Sequence, residues 1–351
     1  MDDLNYVPPK PRLKRRAFLA GAGGLGLALA GGAFVAINGR KSGGKAEISI
    51  QYDWLMSTAQ VGDVIARDKG FFDAEGLSVS FATGGPNAQT VPAVLSGNAQ
   101  VGQMTTAQVL SAFAAHRPVK TFACGFQYFP YSIFSLPRHP VRSPRDLIGR
   151  TVGVNPSVGA TLKRILASEN VRPDQVRIVT IGADMTPLLT GQVDAVGGFA
   201  TNTKALSVLG PERIEMESRH VGLHGYANAY WTSSDTYEAE KDTLIRLVRG
   251  LSRGWAWAYH NRKAAVDRLC DAYPLLDRTS ELATIDRVME ISFDQDTRAH
   301  GWGWFEDARL ADEIRSYQNV THAFGGAIPQ PSDVATHEIL LATDRVRPRL
   351  G

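Results

Sequence analysis

Short apolar runs alternate with longer helical periods along most of the chain. Strand-like runs of β-branched and apolar residues are separated by segments in which apolar residues recur every three or four positions. This alternation predicts a parallel β-sheet covered by helices. In the first part of the chain the predicted strands are 48–52, 77–81, 99–102 and 119–124, and the predicted helices are 61–69, 90–96 and 107–116.

A second unit of the same kind begins after a proline-rich segment. Pro137, Pro140 and Pro144 follow a strand predicted at 131–136, and the alternation then resumes. After a further strand at 226–232 the pattern is helical alone. The second unit has predicted strands at 151–154, 176–181 and 193–197 and helices at 160–169, 185–190 and 203–209, and the C-terminal region has helices at 241–259, 262–272, 280–291, 306–317 and 332–343.

The order of the units predicts two lobes that are joined by two crossings of the chain. If the helical tail returns to the first unit, the crossings fall near residues 136–139 and 230–233. Two crossings form a hinge, and ligands of open α/β sheets bind at the carboxyl ends of strands. The arrangement favours solute capture in a cleft. The expected domains are a leader at 1–45, a discontinuous first lobe at 46–137 plus 233–351, and a second lobe at 138–232.

Composition and charge exclude several classes of protein. The chain has 351 residues, of which 44% are hydrophobic and 21% charged, so it can bury a large core and is neither disordered nor stapled by disulfides. Eight basic and two acidic residues lie in 1–45, whereas the remainder has a net charge of −3. Because a nucleic-acid-binding protein concentrates positive charge on its folded part, no nucleic-acid partner is expected.

The N-terminal segment has the pattern of an export signal. Lys14, Arg15 and Arg16 precede a Gly/Ala-rich apolar run at residues 17–37. This segment resembles a twin-arginine signal, which predicts a periplasmic protein, and an uncleaved membrane anchor is the alternative.

The two cysteines, Cys124 and Cys270, lie far from this segment, so lipid anchoring is excluded. Both have apolar neighbours, which favours buried free thiols over a disulfide.

Six short motifs occur in an order typical of one family. They lie at residues 53–54, 66–77, 84–87, 95–102, 145–153 and 189–196. The series resembles the periplasmic substrate-binding proteins of transporters for thiamine-pyrimidine precursors, whose relatives bind nitrate, sulfonates and taurine. The resemblance implies an α/β, two-lobed periplasmic-binding-protein fold of type II, with two hinge crossings and a helical C-terminal region. It also implies a small-molecule solute, an ABC permease as the membrane partner, and a monomer.

Asp53 and Trp54 follow the first predicted strand and are the most specific of these motifs. A Trp at a cleft rim offers a flat apolar surface to a planar ring, and the neighbouring carboxylate can accept N–H bonds from it. The structural alternative is a Trp packed inside the first lobe beside an Asp that caps a helix. Residues 55–60 depart from the pyrimidine-precursor branch, which usually has Pro and an Asn/His-rich stretch there, so the ligand stays open.

Further ligand contacts are predicted in the loops that follow strands. Gly85 and Asn87 allow backbone N–H groups to approach an anionic or carbonyl group, with plain turn chemistry as the alternative. N-capping is the alternative for Thr105 and Ser157. Aromatic residues cluster where strands end. The complete predicted set is Asp53, Trp54, Gly85, Asn87, Thr105, Thr106, Tyr128, Ser157, Gly159, Phe199, Asn202, Tyr230 and Trp302.

An enzyme is the principal alternative function. Fungal hydroxymethylpyrimidine synthases share this family's fold and use a Lys-bound pyridoxal phosphate, with a nearby His and a Cys-rich segment. The helix at 107–116 contains no Lys, and the Cys-rich run is missing. No hydrolase, zinc-protease or P-loop motif occurs, so no catalytic residue, metal or cofactor is expected.

The ligand and the role leave further alternatives. A planar heterocycle, either a pyrimidine or a flavin such as riboflavin, suits the aromatic residues better than a sulfonate, nitrate or taurine-type anion, which would favour Arg or Lys in the loops. A solute sensor would have the same fold as a delivery protein.

Overall fold

The computed structural model describes residues 44–85, 88–155, 158–182 and 184–351. Residues 1–43 of the predicted leader, and the predicted ligand contacts Asn87 and Ser157, lie outside the described residues. No helix among the described residues is long and apolar enough to cross a membrane.

The described residues contain two five-stranded sheets. Their strands are β1 (Ala46–Tyr52), β2 (Leu77–Ala82), β3 (Val101–Met104), β4 (Val119–Phe126), β5 (Tyr131–Ser135), β6 (Thr151–Val154), β7 (Arg177–Thr180), β8 (Ala195–Phe199), β9 (Ile214–Glu217) and β10 (Ala227–Ser233).

Helices follow most of the strands and form the C-terminal region. They are α1 (Val61–Asp68), α2 (Phe71–Ala74), α3 (Thr90–Leu95), α4 (Thr106–Ala114), α5 (Gly159–Ser168), α6 (Thr186–Leu189), α7 (Thr203–Ser207), α8 (Ser234–Ala239), α9 (Lys241–His260), α10 (Arg262–Ala272), α11 (Arg278–Ser292), α12 (Gln295–His300), α13 (Asp307–Thr321), α14 (Pro331–Val334) and α15 (Glu338–Ala342).

Each sheet is mostly parallel but includes one strand that runs the other way. The first sheet has the order β2-β1-β3-β10-β4, and β10 is antiparallel to both of its neighbours. The second has the order β7-β6-β8-β5-β9, and β5 is antiparallel to both of its neighbours. β5 and β10 are the strands by which the chain enters a sheet from the other one. We call each sheet with its helices a lobe.

The chain changes sheet at residues 127–130 and again at residues 218–226. The crossings expected at 136–139 and 230–233 are therefore misplaced, since 230–233 lies inside β10. The sequence pattern places β5 at the end of the first unit and β10 at the end of the second, because a strand's own residues do not reveal which sheet it joins. Lobe movement stays a prediction.

The first lobe has the larger core. One face of its sheet packs against α1 and the C-terminal helices, with Ile50, Leu247 and Trp255 all fully buried in one cluster. The opposite face has a smaller cluster that includes Met104 and Trp231. Two further clusters cover the second sheet. Because both sheets are covered on both faces, the carboxyl ends of the strands are where polar side chains can remain in contact with solvent.

Local predictions differ from the structure at several places, and the short helices α2, α8 and α12 were not predicted. The helix expected at 332–343 is divided into α14 and α15, because the N–H of Thr336 donates to the carbonyl of Thr121 at 2.9 Å and continues the edge of β4. Strand β9 was not predicted, since its four residues alternate between apolar and acidic types in a short segment. Cys124 and Cys270 are both buried and free.

Candidate functional site

Backbone hydrogen bonds hold Asp53 and Trp54 at the carboxyl end of β1. The N–H of Asp53 donates to the carbonyl of Gln103 at 3.1 Å, and the N–H of Gly84 donates to the carbonyl of Trp54 at 2.9 Å. The N–H of Gly85 donates to the carbonyl of Asp53 at 3.2 Å. A Cβ on Gly84 would overlap backbone atoms of the 52–53 segment. Glycine is therefore required where the ends of β1 and β2 meet.

The Asp53 carboxyl has hydrogen-bonding neighbours on the first lobe. It is half-buried, and desolvation raises its pKa to about 6, although hydrogen bonds from the Gln108 side chain and from the backbone N–H groups of Asp53 and Trp54 oppose this increase. The Gln108 Oε1 accepts from both the N–H and the hydroxyl of Thr105, each at 2.8 Å. Asp53, Thr105 and Gln108 thus form a fixed set of hydrogen-bonding groups at the start of α4. Thr105 is also the N-cap of α4, as its structural alternative expected.

The two large apolar side chains that follow Asp53 in the chain are exposed. Trp54 is 53% exposed and Leu55 is 54% exposed. The alternative in which Trp54 packs inside the first lobe is therefore wrong. An exposed indole beside a partly desolvated carboxyl is unusual for a protein surface and typical of a binding site.

An aromatic cluster occupies the corresponding edge of the second lobe. Phe199, at the carboxyl end of β8, is 37% exposed and packs edge-on against Phe129 and Tyr131, with ring centroids 5.6 and 5.7 Å away. Phe129 lies in the first crossing, and its ring stacks on Tyr131. Asn202 is exposed, and its side chain caps α7. Gly159 begins α5, and a Cβ built on it would meet no atom within 4 Å.

Helix α11 brings the two edges to the same side of the molecule. The Glu281 carboxylate accepts from the N–H of Thr58 at 2.7 Å, four residues after Trp54. Thr284 contacts the hydroxyl of Thr203 at 2.6 Å, four residues after Phe199. Because Glu281 and Thr284 are three residues apart and share a helix face, the loops that follow Trp54 and Phe199 contact the same face of α11.

Two predicted ligand contacts lie in the core instead. Tyr230 and Trp302 are 0% exposed. The Tyr230 hydroxyl donates to Asp63 Oδ1 at 2.7 Å, and Trp302 packs between Tyr230 and Trp255, with centroid distances of 5.8 and 6.1 Å. Both faces of the first sheet are covered, so an aromatic residue near its end is buried by the C-terminal helices.

Thr106 and Tyr128 are also buried, and both lie at the crossings between the lobes. Thr106 is bonded to both backbone polar groups of Tyr226 in the second crossing. Tyr128 lies in the first crossing, 4% exposed, with the guanidinium of Arg219 at 4.1 Å from its ring centre. The predicted residues that remain at the facing strand ends are Asp53, Trp54, Gly85, Thr105, Gly159, Phe199 and Asn202.

A buried polar network beneath the site was not predicted. Asp63 is 0% exposed and accepts hydrogen bonds from Tyr52, Tyr230 and Trp255 at 2.9, 2.7 and 2.9 Å. Burial raises the pKa of Asp63 to about 6, in spite of these three donors. Gln103 lies between Tyr52 and Tyr230 in the sheet. An acidic residue inside the apolar stretch of α1 was the available signal for this network.

The described residues contain no group of three or more His, Cys, Asp or Glu side chains arranged to hold a metal ion.

Comparison with known families identifies the class of protein. Residues 57–265 match the family described as NMT1/THI5 like, which is more than half of the chain. The chain belongs to this family, and the resemblance drawn from its motifs is confirmed.

Relatives in the family bind or make ring compounds. A formylaminopyrimidine-binding protein of Halalkalibacterium halodurans is 23% identical over 247 residues, covering 67% of this chain and 74% of that protein. The riboflavin-binding protein RibY of Chloroflexus aurantiacus is 29% identical over 286 residues, covering 77% and 78%. A 4-amino-5-hydroxymethyl-2-methylpyrimidine phosphate synthase of Legionella pneumophila is 20% identical over 238 residues, covering 66% and 75%.

Solved structures show the same fold at low identity. The alkanesulfonate-binding protein SsuA of Xanthomonas axonopodis pv. citri, bound to MOPS, has a TM-score of 0.58 and 16% identity, covering 84% of this chain and 99% of that one. A Candida albicans protein described as having the generic periplasmic binding protein fold has a TM-score of 0.56 and 12% identity, covering 87% and 97%. The predicted α/β periplasmic-binding-protein fold is thereby confirmed.

Proposed function

We propose that this protein is an extracytoplasmic solute-binding protein of an ABC importer. It captures a small planar nitrogen heterocycle between its lobes, does not change it chemically, and delivers it to a permease. The observation that carries this proposal is the exposed Trp54 beside the half-buried Asp53 at the end of β1.

The two groups match two features of such a ligand. The indole of Trp54 offers a flat apolar surface for stacking, and the Asp53 carboxylate accepts hydrogen bonds from ring or exocyclic N–H groups. Gln108 orients the carboxylate and is itself fixed by Thr105. Phe199 supplies an apolar contact from the second lobe.

Hinge closure provides the capture step. A ligand held first by Asp53 and Trp54 gains contacts with Phe199, Asn202 and the Gly159 turn when the lobes approach. Only contacts made in the closed form shift the equilibrium between open and closed states. The closed form then presents a surface to the permease.

Export and binding without catalysis complete the proposal. The twin-arginine-like segment at Lys14–Arg16 supports a periplasmic location. Helix α4 has no Lys to hold pyridoxal phosphate, which favours a binder over a synthase of the fungal kind. Two binding-protein relatives with pyrimidine and flavin ligands support a planar ring over a sulfonate.

The decisive experiment identifies the ligand directly. The purified protein is denatured, and the released small molecules are analysed by mass spectrometry, followed by calorimetric titration with pyrimidines and flavins. One bound heterocycle that is recovered unchanged after incubation supports the proposal. Accumulation of a product, or binding of sulfonates alone, contradicts it.

Trp54→Ala should weaken binding of the identified heterocycle. Loss of a stacking surface costs about 1 to 3 kcal/mol in affinity, which calorimetry resolves as a rise in Kd of about 5- to 150-fold. Trp257→Ala is the matched control, because Trp257 lies on α9, where Lys69 covers its ring at 4.7 Å, and is distant in sequence from the site. Equal affinities for wild type and Trp54→Ala would remove Trp54 from the site.

A further inference from the structure

We propose that the hydroxyl contact between Thr203 on α7 and Thr284 on α11 holds the lobes closed and breaks when they open. This inference rests on the proposed capture by hinge closure, and it assigns the closed state a contact within the protein that does not require the ligand. Thr203 belongs to the second lobe, and α11 packs with the first through α10 and β4.

A second connection between the lobes lies at the hinge. Arg164 on α5 and Glu313 on α13 form a buried pair, with Nη1 donating to Oε1 at 3.0 Å and Nη2 donating to Oε2. A Cβ built on Gly225, in the second crossing, would meet the Glu313 carboxylate at 2.6 Å. The ion pair therefore lies against the crossing itself, where a rotation of the lobes moves atoms least.

Helix α11 runs away from the other crossing. Its carbonyl at Ile291 accepts from the N–H of Gln127, in the first crossing, at 2.7 Å. Thr284 lies seven residues earlier on α11, which places it about 10 Å from this point along the helix axis. Thr284 is therefore farther from the hinge than any contact at the Ile291 end of the helix.

The distance of each contact from the hinge decides which contact breaks when the lobes rotate. A rotation of about 15°, of the size seen in rigid-body transitions, displaces a point 10 Å from the axis by about 3 Å. That displacement takes the Thr203 and Thr284 hydroxyls from 2.6 Å to beyond hydrogen-bond distance. Arg287 bonds Glu215 at 3.3 Å from a position nearer the crossing, and its long side chain can follow a smaller movement.

Both hydroxyls of the pair are engaged with α11. Either hydroxyl can donate to the other, and the carbonyl of Ser280 lies 2.8 Å from Thr284 Oγ1 and 3.4 Å from Thr203 Oγ1. Thr284 is 7% exposed, so the pair forms in a site largely shielded from water, where losing the partner is costly.

The same face of α11 links closure to the proposed site. Glu281 accepts from both the N–H and the hydroxyl of Thr58, in the loop that follows Trp54. The loop that contains Thr58 is thus bonded to α11 independently of the contact between Thr203 and Thr284. Closure therefore brings the strand ends around Phe199 to the face of α11 that already holds the loop after Trp54.

The test measures closure in the full-length protein without any ligand. Spin labels are placed at Thr83→Cys and Thr180→Cys, which are exposed positions after β2 and at the end of β7, while Cys124 and Cys270 are buried. Double electron–electron resonance then gives the distribution of distances between the lobes. We expect a short-distance population in the wild type, and Thr284→Val should lower its ratio to the long-distance population by about three- to tenfold, the effect of losing one hydrogen bond.

Three variants make the result specific. Thr284→Ser keeps the hydroxyl and should restore the wild-type distribution, and Thr203→Val should reproduce the effect of Thr284→Val from a half-buried position. Thr321→Val is the matched control, because the Thr321 hydroxyl on α13 donates to the carbonyl of Tyr317 in its own helix at 2.8 Å and accepts from the N–H of Ala323, so both of its hydrogen bonds are local. Unchanged distances in both valine variants, or no short-distance population in the wild type, would overturn the proposal. A failure to bind any heterocycle would contradict the proposed function and leave these ligand-free distances as an independent result.

Discussion

At the scale of single residues, two buried or half-buried aspartates near the end of β1 have different surroundings. Asp53 has an amide partner and access to solvent, so its carboxyl is available to a ligand. Asp63 has three neutral donors and no solvent contact. Desolvation is the largest influence on the pKa of both groups. The same chemical group is therefore suited to recognition in one place and to holding strands and helices together in the other.

Asp63→Asn should change how stability depends on pH. The folded-state pKa of Asp63 is about 6, above its ordinary value of 3.8, so the folded protein binds a proton more tightly than the unfolded chain. The stabilisation is complete below about pH 4 and is lost as the pH rises through about 6, a contribution of about 3 kcal/mol. Chemical denaturation at pH 4, 5, 6 and 7 should show a smaller fall in the free energy of unfolding for the variant.

Asp184→Asn is the control for this prediction. The pKa of exposed Asp184 is lowered, chiefly by the hydrogen bond from the Thr186 N–H. Removing this carboxylate should therefore leave the fall in the free energy of unfolding between pH 4 and 6 as it is in the wild type. An identical pH profile for wild type and Asp63→Asn would show that Asp63 does not titrate in this range.

At the scale of elements, the candidate site depends on how closely the ends of β1 and β2 approach. Gly84 donates to the Trp54 carbonyl, and Gly85 donates to the Asp53 carbonyl. These bonds fix the backbone of Asp53 and Trp54, which are the two proposed ligand contacts. Turn residues of this kind position a site through their own backbone hydrogen bonds.

Gly84→Ala should separate these strand ends. The new methyl group would overlap the backbone of residues 52–53, so the loop must move and both hydrogen bonds lengthen. We expect affinity for the identified heterocycle to fall at least tenfold, measured by calorimetry, together with a lower melting temperature. Gly182→Ala is the matched control, because Gly182 follows β7 as Gly84 follows β2 and has no atoms within 4 Å of an added Cβ. Wild-type affinity in Gly84→Ala would mean that the strand ends do not position the site.

At the scale of the whole molecule, two helices of the C-terminal region connect the lobes. α13 does so through the Arg164–Glu313 pair, whose side chains are 5% and 2% exposed. α11 does so through Thr203 and through Arg287, which bonds both Glu215 and Glu217. The C-terminal region thus completes the first lobe and also sets how the second lobe is held.

Glu313→Gln should destabilise the protein strongly. Removing one member of a buried ion pair leaves the other charge uncompensated, a loss of about 3 to 5 kcal/mol in the free energy of unfolding. Urea unfolding followed by circular dichroism should show a lower midpoint, and Arg164→Met in the same chain should recover part of the loss because it removes the unpaired charge. Asp286→Asn, which breaks an exposed pair with Arg262, should change the midpoint little. A midpoint for Glu313→Gln equal to that of the wild type would contradict the buried pairing.

Much of the fold could be predicted from local pattern, and the site only in part. Asp53, Trp54 and Thr105 follow strands that their own residues define, so their place at a strand end was predictable. Tyr230 was misassigned because a strand covered on both faces has no polar face to mark burial. Trp302 was misassigned because its glycine-rich loop is covered by segments distant in sequence, including Arg347, whose side chain donates to the Trp302 carbonyl.

The sequence by itself determined the α/β class, the family and the strand ends at which a ligand is expected, because these follow from periodicity and motifs within a few residues of one another. Only the tertiary structure decided where the chain changes sheet, that β5 and β10 run antiparallel, that Asp63 is enclosed by Tyr52, Tyr230 and Trp255, and that α11 contacts both edges of the site. Apart from the contact between Asp63 and Tyr52, each of these depends on partners 81 to 223 residues away or on the direction from which a strand enters a sheet. Local pattern has no information about such partners, since burial and pairing are fixed by the surfaces that meet when the chain is complete.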